Sequence, residues 1–190
     1  MPSTRQAQVE PAPPASGDFL DELGELALGS RLKRLADRMM ADAAAIYRHL
    51  GHDMQPRWFT LLALLYRHGQ CNVVEAAERL GLSQPAISQF SQQLVQRGLI
   101  SSTPCAEDSR RRVLALTDSG RARVDAMQPM WQAVTRAAQE LSQDCHNDFY
   151  DSLRQFEHAL NTASLKSRAL AHLTRPAEGL SASSSEDKSA

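Results

Sequence analysis

The side chains best suited to binding chemistry in this 190-residue chain lie between Ser83 and Arg97, where neutral hydrogen-bonding residues crowd one short segment. No aspartate or glutamate occurs there, and a surface that approaches phosphate groups has good reason to exclude them. Glutamine can pair with N6 and N7 of adenine, and serine can bind a phosphate oxygen or a base edge. A merely solvated helix face would have the same composition. The candidate contacts are Gln84, Ser88, Gln89, Ser91 and Gln92.

A second basic feature follows in the polar stretch from Pro104 to Arg112. Its three adjacent arginines are Arg110, Arg111 and Arg112, and Asp108 lies two residues before the first of them. At the tip of a hairpin, such arginines can enter a minor groove and contact the DNA backbone. We expect Arg110 or Arg111 to enter the groove and Asp108 to hold Arg110 in a salt bridge. A solvated charged hairpin is the alternative.

Capping signals predict the elements that position these residues. Asn72 and Glu75 have the spacing of a capping box, which predicts a helix from there to Leu80. Gly81 permits a tight turn, and Ser83 can cap a second helix that ends at Gly98. Two alternating segments, 99–103 and 113–117, then predict a β-hairpin. Helix, turn, helix and hairpin together predict a winged helix over about residues 56–117.

Apolar spacing predicts helices on both sides of that unit. Residues 18–50 repeat apolar side chains at intervals of three and four, which predicts one long helix. Gly24, Gly29 and Ser30 weaken its first half and allow either a later start or a bend near Gly29. Residues 57–68, opened by Pro56, are apolar around most of the circumference and predict a core helix. A helix from Asp118 to about Leu141 should kink at Pro129.

The last predicted helix starts at a Ser142 cap and carries an apolar stripe to about residue 165. Residues 1–17 and 166–190 are poor in large apolar side chains and predict a disordered arm and a largely disordered tail. The fold class is therefore mainly α, with a small β-hairpin wing. The stripes of the flanking helices, about 18–50 and 118–165, predict a dimerisation domain and a two-fold homodimer.

Composition limits the cellular context. The net charge is −1, so any case for nucleic-acid binding depends on local features. The longest largely apolar run, 58–66, is too short to cross a bilayer, and three widely spaced cysteines fit a reducing cytoplasm. We find no motif for an enzyme, a cofactor or a metal site. His49, His52 and Asp53 are close in sequence, but Gly51 separates the histidines, which favours solvated loop side chains.

Four short motifs resemble the MarR family of winged-helix transcription regulators: 80–88 (LGLSQPAIS), 96–100 (QRGLI), the Asp108-Ser-Arg110 wing and 116–120 (LTDSG). The resemblance covers about residues 18–165. It implies a dimer formed by the terminal helices and a pseudo-palindromic operator. It also implies a repressor released by a small aromatic or anionic ligand, or by thiol oxidation. By position, the family's major-groove contacts fall on Ser83, Gln84, Pro85, Ser88 and Gln89, and its wing contact falls on Arg110.

One departure from the family concerns Gln89, where many members have arginine; this predicts a leaning toward A·T base pairs. The family's effector pocket would lie near Tyr47, His49, Arg57 and Trp58, although Trp58 also fits a core position. Segments 28–35 and 56–59 resemble a branch in which this domain precedes an acetyltransferase domain, for which we expect no counterpart after Leu165.

Two further hypotheses remain open at this point. Cys105 beside the wing arginines, a half-buried Cys71, or Cys145 in the first turn of the last helix could sense oxidants, although three inert cysteines are the simpler interpretation. The near-neutral charge also fits a winged-helix module that binds a protein partner without specific DNA binding.

Overall fold

The computed structural model describes residues 17–105, 112–145 and 148–174. The predicted disordered arm before residue 17, the tail after residue 174, and Asp108, Arg110 and Arg111 lie outside the described residues. The elements in chain order are α1 (Phe19–Leu23), a 3-10 helix (Gly24–Ala27), α2 (Leu28–His49), a 3-10 helix (Pro56–Trp58), α3 (Phe59–His68), β1 (Cys71–Asn72), α4 (Val73–Leu80), α5 (Gln84–Gln96), β2 (Ile100–Pro104), β3 (Arg112–Leu116), α6 (Asp118–Gln143), α7 (Phe149–Thr162) and α8 (Leu165–Thr174).

The first predicted helix is divided. Asp18 caps α1 by accepting a hydrogen bond from the Leu20 amide at 3.1 Å, but Gly24 has φ +53° and ends the helix after five residues. A 3-10 turn then leads into α2, and Gly29 lies inside that helix. The prediction of one continuous helix over 18–50 was therefore wrong, whereas the weak first half and the later start are observed, since the long helix α2 begins at Leu28. The break occurs at Gly24 because that glycine adopts the positive φ that helical residues cannot.

One carboxylate joins α1 to α2. The second oxygen of Asp18 accepts a hydrogen bond from Nη2 of Arg34 at 2.6 Å. Together with the Leu20 amide, this guanidinium lowers the pKa of Asp18 below its usual value. Asp18 therefore helps to hold the short α1 against α2 while it is ionised.

The core of the first unit is built around α3. Pro56 opens its leading turn, and Trp58, Leu61, Leu62 and Leu65 are at most 1% exposed. The predicted core helix is confirmed. Four other elements contribute side chains that are at most 2% exposed: Ile87, Leu94, Ile100, Leu114 and Val124.

The predicted helix-turn-helix is present in detail. Oδ1 of Asn72 accepts the Glu75 amide at 2.9 Å and so caps α4. The second half of the predicted capping box is replaced, because the Glu75 carboxylate pairs with Arg79 at 2.8 Å. Gly81 adopts the left-handed conformation with φ +62°. Oγ of Ser83 then accepts the Ala86 amide at 3.3 Å, which starts α5.

A three-stranded antiparallel sheet completes the winged helix, with strand order β1-β3-β2. The predicted hairpin is β2 with β3, in a register that pairs Ile100 with Leu116 and Pro104 with Arg112. The two-residue strand β1 adds Cys71 opposite Leu114. Because β1 directly precedes α4, its pairing with β3 connects the start of the helix-turn-helix to the wing.

The described chain divides after Ala126 into two compact units, and α6 contributes to both. Helix α6 continues through Pro129 to Gln143, so Ser142 lies inside it and does not cap the next helix as predicted. Asp148 caps α7 instead, by accepting the Asp151 amide at 3.1 Å. Residues 165–174 form α8, which extends beyond the predicted boundary at 165. Nowhere in the described ranges is a helix both long and apolar enough to span a membrane.

Candidate nucleic-acid interface

One face of α5 presents a continuous set of uncharged polar groups. Gln84, Ser88 and Gln92 are four residues apart and therefore form a row along the helix, with Gln89 beside it. The three glutamines are exposed and Ser88 is half-buried. Ser83 is the exposed capping residue, and Pro85 lies in the first turn, where an amide would have no helical partner. The structure thus brings together all the candidate residues that lie on or cap this helix, apart from Ser91.

Ser91 belongs to the buried side of α5, which corrects its assignment to the polar face. It is 6% exposed and shares its side of the helix with Ile87 and Leu94, both fully buried. Its hydroxyl donates to the carbonyl oxygen of Ser88 at 2.9 Å, which satisfies the buried oxygen within the helix. Ser91 is therefore a packing residue and is unavailable to a ligand.

Of the three candidate arginines, Arg112 lies within the described residues, at the start of β3. Nε of Arg112 donates to Oγ of Ser102 at 3.1 Å, and its Nη2 donates to the carbonyl oxygen of the same residue. Arg112 is exposed yet attached to the neighbouring strand. This arrangement stiffens the described base of the hairpin. Arg110, Arg111 and Asp108, the predicted partner of Arg110, lie outside the described residues.

The junction between α5, the wing and α6 is fixed by Thr117, a residue that was not among the predicted site residues. The hydroxyl of Thr117 donates to the Gly98 carbonyl at 2.7 Å and accepts the Gly120 amide at 2.9 Å. The Thr117 amide donates to the Leu99 carbonyl at 3.1 Å. The family motif at 116–120 includes Thr117, and the structure gives a physical reason for it: Thr117 holds the C-terminal end of α5 against the start of α6.

The four effector-pocket candidates divide by exposure. Tyr47 and Trp58 are buried, at 4% and 0% exposed, whereas His49 and Arg57 are not buried. The indole Nε1 of Trp58 donates to Oε1 of Gln93 at 2.9 Å, and the Arg97 guanidinium lies 4.7 Å from the centre of its ring. Trp58 therefore serves as a core residue beneath α5. In the described part of the chain, no group of three or more His, Cys, Asp or Glu side chains could hold a metal ion.

The cysteines are all free and differ in environment. Cys71 is 6% exposed and more buried than predicted, and burial, followed by the nearby Glu75, raises the pKa of its thiol. Cys105 is half-buried and follows the end of β2. Cys145 is exposed and follows the end of α6, with its Sγ 3.5 Å from the Leu141 carbonyl. The predicted place of Cys145 in the first turn of the last helix was wrong, because the next helix begins at Phe149.

We expect Cys71 to react with iodoacetamide at least about tenfold more slowly than Cys145 at pH 8, because burial restricts access and a raised pKa reduces its thiolate fraction. Mass spectrometry of timed digests would give the rates of all three thiols. The rate at Cys71 should rise toward that of Cys145 in denaturant, which controls for peptide-specific chemistry. If Cys71 proves the fastest thiol in the folded protein, burial does not control its reactivity.

Comparison with known proteins agrees with this architecture. Residues 52–111 match the model of the MarR family. Over 98 residues the chain is 31% identical to the HTH-type transcriptional repressor MdtR of Bacillus subtilis, a match that covers 45% of this chain and 63% of that relative. The matched region thus spans less than two thirds of MdtR.

Solved structures show the same fold over most of the chain. A mutant of MarR from E. coli, complexed with operator DNA, superposes with a TM-score of 0.60 at 20% identity, covering 76% of this chain and 99% of the other. BpsR of Bordetella bronchiseptica superposes with a TM-score of 0.55 at 21% identity, covering 70% and 98%. The helix-turn-helix and the first wing strand described above thus lie in a region, residues 52–111, that is similar to the MarR family of winged-helix transcription regulators.

Proposed function

We propose that this chain is a transcription regulator of the MarR family. In this proposal it is a cytoplasmic homodimer that binds a pseudo-palindromic operator, represses transcription and is released by a small aromatic or anionic ligand. The observation that carries DNA binding is the uncharged polar face of α5, on which Gln84, Ser88, Gln89 and Gln92 are presented without a carboxylate. In the proposed complex the first three of these residues read the major groove, and Arg110 enters the minor groove. The similarity to a transcriptional repressor and to a fold solved with operator DNA supports this assignment.

Large apolar side chains on the flanking helices support a homodimer. Phe19, Leu26 and Met39 are 63%, 86% and 58% exposed in the first unit. In the second unit, Tyr150, Leu165 and Leu173 are 65%, 72% and 80% exposed. Exposed apolar surface of this extent marks an interaction site, and a second copy is the partner that the two-fold symmetry of an operator requires.

A small effector is supported by a neighbour in fold. The structure of BpsR concerns regulation of its DNA binding by 6-hydroxynicotinic acid, an aromatic carboxylic acid. In this chain Arg57 directly precedes Trp58. Its positive charge makes it the first residue to test as a binding partner for an aromatic carboxylate. An aromatic acid that lowers DNA affinity of the unmodified protein but not of Arg57→Ala would support this part of the proposal.

The test of DNA binding is a titration of the purified full chain against its own upstream intergenic duplex, with and without competitor DNA, across a salt series. We expect affinity that survives competitor and a log–log salt slope that corresponds to several phosphate contacts. Sedimentation of the same samples should give two chains per duplex. Replacement of Arg110 by Ala should weaken binding and reduce the magnitude of the salt slope by about 1, which corresponds to the loss of one phosphate contact.

The net charge of −1 favours a second candidate function, a winged-helix module that binds a protein partner. Binding that competitor abolishes at every salt concentration, in reduced protein freed of ligand by refolding, would contradict the DNA-binding proposal and favour this alternative. Binding that reappears only after reduction would instead indicate redox control through a cysteine.

A further inference from the structure

The side of α5 next to the proposed DNA-binding face is attached to the segment before α3 by a cluster of side chains that are not themselves among the proposed DNA contacts. We define this Trp58 cluster as Asp53, Arg57, Trp58, Gln93 and Arg97. Its centre is the hydrogen bond from Nε1 of Trp58 to Oε1 of Gln93, 2.9 Å long and formed by an indole that is fully buried. This bond connects residues 35 positions apart, so it fixes α5 to a different part of the fold.

Two arginines complete the cluster on either side of that bond. Nη2 of Arg97 is 3.5 Å from Oδ1 of Asp53, and its guanidinium covers the Trp58 ring at 4.7 Å. The guanidinium of Arg57 donates to the same Gln93 oxygen at 3.4 Å and lies 5.8 Å from the centre of the Phe90 ring. The contacts reach three places along α5 and its cap, at positions 90, 93 and 97. Contacts spread along the helix in this way restrict its rotation about its own axis.

Gln93 lies one helical turn after Gln89, so both side chains project from the same side of α5. We propose that Gln93 and Trp58 are positioning residues for DNA recognition: their hydrogen bond sets the rotation of α5 and thereby the direction in which Gln89 faces a base. This inference rests on the proposed function. Bidentate pairing of an amide with adenine requires both hydrogen bonds in one plane. A small rotation of α5 would therefore cost base discrimination before it cost phosphate contacts.

The physical basis is the cost of leaving a buried donor without an acceptor. Among the described residues, no buried side-chain nitrogen or oxygen lacks a hydrogen-bond partner. Removing the Gln93 amide would leave the buried indole N–H of Trp58 without an acceptor. To give this N–H a new partner, α5 would have to shift or admit water. Removing both partners together would eliminate that conflict, because two apolar groups can pack where the hydrogen bond had been.

The experiment compares four variants with the unmodified full chain on its upstream duplex: Gln93→Leu, Trp58→Phe, the double variant, and Gln139→Leu. Trp58→Phe keeps an aromatic ring and removes the donor, and Gln139→Leu makes the same side-chain change as Gln93→Leu at an exposed position of α6. We expect each single cluster variant to bind about fivefold more weakly, the double variant to bind no more weakly than either single, and Gln139→Leu to bind normally. Each affinity is calculated from the concentration of active protein, which a stoichiometric titration with the duplex measures.

A second readout separates positioning from stability. Duplexes changed at single base pairs should show that Gln93→Leu flattens the preference at the position read by Gln89, while its salt slope stays that of the unmodified protein. In a Trp131→Phe background, the emission of Trp58 should shift when Gln93 is replaced. A lower melting temperature with unchanged base preference would assign the cluster a structural role only and overturn the proposal. Multiplicative losses in the double variant would also overturn it, and absence of binding by the unmodified protein would overturn the proposed function with it.

Discussion

Replacing Gly120 with alanine should unfold the winged helix or destabilise it by about 3–5 kcal/mol, an effect reserved for overpacked or strained sites. A Cβ at this position would lie 1.8 Å from the Leu99 carbonyl oxygen, 2.8 Å from its carbon and 3.2 Å from Cδ2 of Leu116. The first two atoms are backbone and cannot move aside as a side-chain end can. The whole Gly98–Leu99 connection would have to separate from the start of α6.

The cost is increased because the same backbone is held by hydrogen bonds. Leu99 accepts the Thr117 amide at 3.1 Å through the oxygen that the new Cβ would meet. Thr117 in turn caps Gly120 at 2.9 Å and binds Gly98 at 2.7 Å. Displacing Leu99 therefore weakens the two hydrogen bonds by which Thr117 attaches the Gly98–Leu99 connection to the start of α6. Thermal or urea unfolding followed by circular dichroism would measure the loss.

The matched control is Gly29→Ala, because this glycine lies inside α2 and an added methyl group would meet nothing within 4 Å beyond its own stretch of helix. Alanine there should stabilise the chain by about 0.5–1 kcal/mol, since it removes the entropy cost of a helical glycine. Equal melting temperatures for the two variants would show that the Leu99 connection yields cheaply. The close approach at Gly120 would then not explain why the motif at 116–120 contains glycine.

The helix-turn-helix could be predicted from sequence because each of its signals is local. Asn72, Gly81 and Ser83 act on amides or dihedral angles within three residues of themselves, and the structure confirms all three. The same signals were ambiguous elsewhere. Both Gly24 and Gly29 can interrupt a helix, and Ser142 and Asp148 can each cap one. Only the surrounding structure selects Gly24 and Asp148.

The sequence predicted which residue types line the candidate site, but it predicted their positions in space less well. Apolar spacing correctly predicted that Ile87 and Leu94 are buried. Ser91 was assigned to the exposed side because it is polar, but its hydroxyl forms a hydrogen bond within the helix and can therefore be buried. The bond between Trp58 and Gln93 joins two distant segments, and no periodic pattern records such a pair. Gly120 was visible only as part of a family motif. Its physical reason, a backbone oxygen from the far side of the hairpin, needs three-dimensional coordinates.

The second large effect is expected at the proposed DNA-binding face of α5, where Gln89→Glu should weaken binding to the upstream duplex by about 100-fold, or ~3 kcal/mol. The substitution keeps the size of an exposed side chain and adds one carboxylate to a face that has none. In the proposed complex this charge would lie among phosphates, where like-charge repulsion adds to the loss of the amide donor. Gln89→Ala, which loses only the base contact, should bind about tenfold more weakly.

Salt dependence distinguishes repulsion from misfolding. The deficit of Gln89→Glu relative to Gln89→Ala should shrink as salt rises, because mobile ions screen the added charge. Gln139→Glu makes the same change in net charge at an exposed position of α6 and should leave affinity within about twofold. An equal deficit in Gln139→Glu would assign the effect to net charge alone. Normal binding by Gln89→Glu would remove this face of α5 from the DNA interface, because a carboxylate cannot be accommodated there without cost if phosphates surround it.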